Sequence, residues 1–498
     1  MKVKYKPIKI FFYALIVLIV LVLITNSTIS FIIKNKLNEA SGKEYLIKVD
    51  KINTNILNQT VHIKNLNLNS LNSEKDSLIL KITSFAINGI SISDIVNTKK
   101  ISLSKIFIDK PELHIYKKDT STQEKNKLFK GLDQFTLNKF DINNGHIHIH
   151  KTNKESDLII NTIDFYLSNI EINSNTLGNK IPFIYDDIKV SLDTISLPMN
   201  DFENIAINSI KINNQNISIN HLKMKSIYVK NEMKSVTNTE RDWIEMYTKK
   251  IDISDYKTDS VYSASTVTID STSLYVYRDK LLPDDTSYKP LYSKMLRELP
   301  IKLKLDSLIV KNSTIKYDER KKETGKPGSI IFTELNSSIT NINNYTDGIV
   351  TNIDISSKFM DDAIFNMNWT FEILNPSDYF TLNGKMKDLD ITKTNAFLLP
   401  NLNVKTKGYI NQLSFDIKGN DTKATGELEM IYNNIEIETI NKNKLTKKKV
   451  LSAIANVFIK KENDNSKKEL FEVNRDQEKS FFNYFWLCIK NGTMDTML

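Results

Sequence analysis

Ile106-Phe-Ile-Asp-Lys-Pro-Glu-Leu-His-Ile-Tyr116 places apolar side chains at 106, 108, 113 and 115, two period-two pairs separated by four turn-like residues. A four-residue loop between Ile108 and Leu113 predicts a hairpin in which those two residues face each other. Ile106 then opposes Ile115, and all four lie on one face. The unit recurs. Phe140-Asp-Ile-Asn-Asn-Gly-His-Ile-His-Ile-His150 contributes Ile147 and Ile149, and Ile210-Lys-Ile-Asn-Asn-Gln-Asn-Ile-Ser-Ile-Asn220 contributes Ile210, Ile212, Ile217 and Ile219. Val267-Thr-Ile-Asp-Ser-Thr-Ser-Leu-Tyr-Val-Tyr277 contributes Val267, Ile269, Leu274 and Val276, and Leu308-Ile-Val-Lys-Asn-Ser-Thr-Ile-Lys-Tyr-Asp318 repeats the pattern. A one-sided hairpin cannot bury its own apolar face, and successive copies are the material of extended, repeat-like β architectures. The copies are irregularly spaced, so a strict solenoid is not expected.

Alternation continues elsewhere, as in Val61-His-Ile-Lys-Asn-Leu-Asn-Leu68 and Ile301-Lys-Leu-Lys-Leu305, which predicts strands with one apolar face. Helical spacing is confined to Glu240–Lys249, Leu291–Leu299, Thr446–Phe458 and Ser480–Ile489. These segments are too short to cover so much sheet. Either two sheets close on each other, or one long sheet curls into a trough whose apolar lining stays open; the second is the expectation. The fold class is therefore mainly β: an elongated, curled, largely antiparallel sheet with few short helices and a helical, aromatic C-terminal cap. The expected segments are 1–34 (cytoplasmic tip and membrane anchor), 35–300 (N-terminal β-groove), 301–440 (C-terminal β-groove module) and 441–498 (cap).

The 498 residues suffice for a large core, and the single cysteine, Cys488, excludes an intramolecular disulfide framework and a multi-cysteine zinc site. The formal net charge of +9 is spread along the chain and predicts no nucleic-acid partner. Between Ile10 and Ile24 the only polar side-chain group is the Tyr13 hydroxyl, and the run extends to Ile33, about 36 Å as a helix. Lys2, Lys4, Lys6 and Lys9 precede it, which predicts an uncleaved single-pass anchor with a cytoplasmic N-terminus. The remainder is then expected in a bacterial periplasm, where a lone cysteine is unremarked.

His146, His148 and His150 share one strand face, the only metal-like cluster in the sequence. They face away from Ile147 and Ile149, onto the solvated side, with no acidic or cysteine partner obvious in the sequence nearby, so no metal and no cofactor is expected. No nucleophile elbow, phosphate loop, HExxH or paired-cysteine motif is present, which points away from an enzyme.

Several segments together resemble the AsmA-like family of bacterial envelope proteins, relatives of TamB and of the bridge-like lipid transfer proteins. They are the anchor followed by Lys36–Val49, the strand Val61–Leu68, the stretch Ile101–Tyr116, and the series Leu382–Ile391, Val404–Ile417 and Ala424–Ile437, with Gly384, Gly408 and Gly426 at matching places. Leu308–Glu319 and Asn474–Trp486 are similar to a Bacteroidetes branch. At about 15–18 residues per strand and turn the chain would hold about 25–30 strands, a trough on the order of 120–145 Å long at about 4.8 Å per strand. The resemblance implies an inner-membrane-anchored protein whose groove binds or conducts phospholipid or another acyl lipid, supporting phospholipid transport or outer-membrane homeostasis, with envelope proteins as further partners. The groove lining is then Ile106, Ile108, Leu113, Ile115, Ile147, Ile149, Ile210, Ile212, Ile217, Ile219, Val267, Ile269, Leu274 and Val276. The alternative is a non-transporting assembly factor that binds outer-membrane proteins by β-augmentation.

Overall fold

The computed structural model describes residues 45–55, 58–70, 77–90, 100–117, 134–151, 157–177, 181–258, 260–440 and 468–497. The expected anchor and the expected helix Thr446–Phe458 lie outside these residues. No described helix is long and apolar enough to cross a membrane.

The chain is mainly β and forms two compact units, Met1–Ile219 and Asn220–Leu498. The first carries β1 (Tyr45–Asn55), β2 (Thr60–Ser70), β3 (Ser77–Asn88), β4 (Lys100–Lys117), β5 (Gln134–Lys151), β6 (Leu158–Asn173), β7 (Ile188–Pro198) and β8 (Glu203–Asn213). Each pairs with the next, antiparallel except for β4 and β5, which run parallel. The boundary falls within β9 (Asn216–Ser226). The second unit carries β10 (Asp242–Ser254), β11 (Lys257–Thr258), β12 (Tyr262–Asp279), β13 (Leu303–Arg320), β14 (Gly328–Asn343), β15 (Val350–Phe359), β16 (Ala363–Glu372), β17 (Phe380–Asp390), β18 (Val404–Gly419), β19 (Lys423–Thr439) and β20 (Lys468–Asn474). Here β12 and β13 are the parallel pair, and the other ladders are antiparallel. Four described α-helices complete the unit: α1 (Met233–Val236), α2 (Tyr292–Arg297), α3 (Asn395–Leu402) and α4 (Phe481–Met497).

The recurrent unit is not the hairpin its sequence predicts. Only Ile210–Asn220 turns, at Asn214-Gln215 between β8 and β9. The other four copies run straight through β4, β5, β12 and β13 as single strands of 18 residues each. Each turn-like tetrad holds one residue in the left-handed region: Lys110 (φ 50°), Asn144 (52°), Ser271 (56°) and Asn312 (49°). One such residue adds a step to the strand and reverses the alternation, so Ile108 and Leu113, an odd number apart, still face the same way. A hairpin and a bulge satisfy the same parity. This is why the sequence does not separate them, and why the described strands are fewer and longer than expected.

The bulges occur in register. Asp109 pairs with Asn143 and Glu112 with His146, which sets Lys110 beside Asn144; Asp270 pairs with Lys311, which sets Ser271 beside Asn312. Among the described residues, twelve non-glycine residues inside strands have positive φ: Asn65, Lys110, Asn144, Asn169, Thr194, His221, Ser271, Asn312, Glu334, Asn341, Asp388 and Asn434. Half are asparagine, which tolerates this region through its short polar side chain.

Glu240–Lys249, expected as a helix, leads from Asp242 onward into the first part of β10. Its apolar residues Trp243, Ile244, Met246 and Tyr247 mimic a helical stripe because both faces of the strand carry apolar side chains here. Ile244 and Met246 face Val276 and Leu274. On the opposite face Trp243 Nε1 donates to the Tyr228 carbonyl (2.8 Å), and Lys230 Nζ sits 4.7 Å above the indole.

Gly384, Gly419 and Gly426 each lie directly across from a phenylalanine of the adjacent strand, Phe415, Phe380 and Phe471. In each pair the ring lies over the glycine, where a Cβ would fall 2.1 to 2.7 Å from the ring Cζ. Gly408 differs: its φ is 115°, and a Cβ would meet the Asn434 carbonyl oxygen at 2.4 Å. Gly408→Ala therefore adds strain and a backbone clash, an expected loss of about 1–3 kcal/mol in urea unfolding. An unchanged midpoint would show that the β18–β19 bulge is not built as described.

Candidate functional site

The second unit bears a continuous apolar rung. Ile253 pairs with Val267, Val267 with Leu308, Leu308 with Ile339, Ile339 with Ile353, Ile353 with Trp369, Trp369 with Leu382 and Leu382 with Ile417. Eight strands each place one apolar side chain in this line. A parallel line runs Ile251–Ile269–Val310–Ser337–Ile355–Met367–Gly384–Phe415. The opposite face of the same strands carries polar side chains, with Asn368 Nδ2 donating to Asn352 (2.7 Å) and Asp354 (2.8 Å).

Exposure is graded along the first rung. Ile253, Val267, Leu308 and Ile339 are half-buried. Ile353 and Trp369 are buried, Leu382 is 1% exposed and Ile417 is sealed. The covered end lies under α4 and α2. Phe481 stacks on Trp369 with ring centroids 4.4 Å apart, Tyr292 meets Trp369 edge-on at 5.7 Å, and Tyr484 and Phe485 meet Phe380 and Phe415 at 6.1 and 5.5 Å. Helix α4 thus occupies the C-terminal end of the apolar face, as the aromatic run Phe481–Trp486 suggested. It comes close enough that a Cβ on Gly492 would lie 2.8 Å from the Leu428 Cβ.

A polar latch joins the α2 crossover to the approach to α4. The Arg475 side chain is fully buried and pairs with Asp421, and its guanidinium also donates to the Lys289 carbonyl. Tyr288 OH (3.0 Å) and Gln477 Nε2 (2.8 Å) donate to the same Asp421 carboxylate, and Lys479 Nζ donates to Asp284 (2.6 Å). Hydrogen bonding with Glu240, and next with Lys479, holds the Asp284 carboxyl well below the usual range.

In the first unit the expected lining residues divide. Ile106, Ile108, Leu113 and Ile115 are buried in one core with Ile63, Phe85, Ile87 and Phe140, and Ile147 and Ile149 pack half-buried against it. Farther along, Ile142–Phe165–Val190–Ile212 forms a rung across β5 to β8. Ile210, Ile212, Ile217 and Ile219 are half-buried. In the second unit Val267, Ile269, Leu274 and Val276 are half-buried. Sequence reasoning did not find Ile339, Ile355 and Met367, although the same alternation marks them; they lie outside the recurrent unit.

The histidines are not without acidic neighbours. The parallel register brings His114 opposite His148, Tyr116 opposite His150 and Glu112 opposite His146. Asp157 Oδ2 lies 2.7 Å from His148 Nε2 and 3.2 Å from His150 Nδ1. Neither Glu112 nor His114 was legible as a partner, because the pairing joins residues 34 to 36 positions apart.

No protein-family model matches the chain, and no curated protein matches it.

Proposed function

We propose that the half-open apolar face holds the acyl chains of a phospholipid or similar lipid, in an envelope protein anchored at the inner membrane through its apolar N-terminal segment. The observation that carries this reading is the eight-strand rung from Ile253 to Ile417, open at its N-terminal strands and closed by α4 at the other end. A contiguous apolar surface backed by a polar face marks a place where something apolar binds. Bulges bend a strand and increase its twist, so their alignment across neighbouring strands favours a sheet that curls around the lining. Lipid slides along side chains that make no directional bonds, no covalent step is involved, and the protein supports phospholipid movement or outer-membrane homeostasis.

The test is the full chain extracted in mild detergent and examined by native mass spectrometry, beside a Val267→Glu/Leu308→Glu variant. These two residues face each other across β12 and β13 and are only half-buried, so the fold tolerates the change. A carboxylate desolvated among acyl chains costs several kcal/mol, and co-purified lipid is expected to fall at least about tenfold, which corresponds to about 1.4 kcal/mol. Ile212→Glu tests the first unit in the same way. Folded variants that retain normal lipid overturn the proposal. Captured β-barrel precursors without lipid favour strand addition to a sheet edge.

A further inference from the structure

Four of the six histidines lie on two adjacent strands, β4 and β5, on the face opposite the core. His114, His148 and His150 each bring one ring nitrogen within 4.8 Å of the others'. His114 Nδ1 and His150 Nε2 point at each other across 3.3 Å. Their far nitrogens both meet carboxylates: His114 Nε2 is 2.9 Å from Glu112 Oε1, and His150 Nδ1 is 3.2 Å from Asp157 Oδ2. An ionised carboxylate only accepts, so each far nitrogen carries the hydrogen of its neutral imidazole. Both near nitrogens then present bare lone pairs to each other, an arrangement that calls for a cation between them. Two nitrogens on one tetrahedral zinc, each about 2.0–2.1 Å from the metal, lie about 3.3–3.4 Å apart. A carboxylate behind each imidazole is the usual outer support of a metal-bound histidine. Tyr116 stacks on His150 with centroids 4.3 Å apart and fixes the plane of that ring.

We propose that His114, His148 and His150 bind one divalent transition-metal ion of the zinc type, with Glu112 and Asp157 orienting the imidazoles. The site straddles the parallel ladder and ties β4 to β5 at the register that also aligns Lys110 with Asn144. It belongs to the polar face and is independent of the acyl-binding reading.

Tag-free full chain is dialysed against zinc(II) and the bound metal counted by plasma mass spectrometry; cobalt(II) is titrated in parallel and its visible bands recorded. The wild type is expected to hold about one zinc per chain and to give the intense bands of a four-coordinate cobalt. His114→Ala and His150→Ala are expected to lose both signals. His146→Ala, changed at a neighbouring histidine outside the trio, keeps them. Glu112→Gln retains the ligands and is expected to bind about 10–100-fold more weakly. All these side chains lie on the outer face, and circular dichroism checks that each variant is folded. Absence of zinc from the wild type, or uptake that survives both His114→Ala and His150→Ala, overturns the proposal; in the first case a proton shared between the two rings accounts for their approach.

Discussion

Phe481→Ala is expected to lower the unfolding free energy by about 3–5 kcal/mol. Phe481 is 5% exposed, stacks face to face on Trp369 and meets Phe380 and Tyr292 edge-on at 5.6 and 6.0 Å. It anchors the first turn of α4 to strand β16. The lone cysteine supplies a second readout. Cys488 lies on the buried face of the same helix, 2% exposed, and burial pushes its thiol up to about 12. In the native protein it is protonated and shielded at pH 8, so a thiol-specific chromogenic reagent should react slowly. Since only the thiolate attacks, loosening α4 both exposes the sulfur and returns its acidity toward the ordinary value. Phe481→Ala should therefore accelerate labelling while a lower urea midpoint is recorded. Wild-type stability together with wild-type labelling would refute the description of α4 as a packed cover.

Asp421→Ala is expected to cost a similar amount, about 3–5 kcal/mol, for a different reason. Removing one partner of a buried ion pair leaves the other charge without compensation. Here the stranded group is the Arg475 guanidinium, which has no solvent access of its own. Tyr288 loses its acceptor in the same step, while Gln477 keeps only the Asp421 backbone carbonyl. The double variant Asp421→Ala/Arg475→Met removes the uncompensated charge and should recover part of the loss, as chemical denaturation would show. A double variant no more stable than Asp421→Ala alone would mean that the pair is not the cause.

The alternation of apolar and polar residues made the one-sided strands readable, and the aromatic cluster at 481–486 made the cover readable. Leu291–Leu299 was likewise legible as a helix, seen as α2 over Tyr292–Arg297. What was not legible follows from parity and distance. Asp109-Lys-Pro-Glu112 and Asn143-Asn-Gly-His146 contain favoured turn residues, and period two alone assigns them equally to a reversal or to a bulge. β10 imitated a helix because both its faces carry apolar side chains. The histidine group required knowledge that β4 and β5 run parallel with an offset of 34, which no local pattern encodes. The rung from Ile253 to Ile417 was visible strand by strand, but its continuity depends on the registers of seven ladders.

The aligned left-handed residues also constrain how such a chain can change. Deleting Lys110 alone would restore plain alternation in β4 and turn Leu113 and Ile115 outward, while Asn144 kept β5 in its present phase. The mismatch would spread to every strand bonded beyond. Single-residue insertions and deletions at these levels keep the apolar faces aligned only as matched sets across neighbouring strands, much as a reading frame is kept.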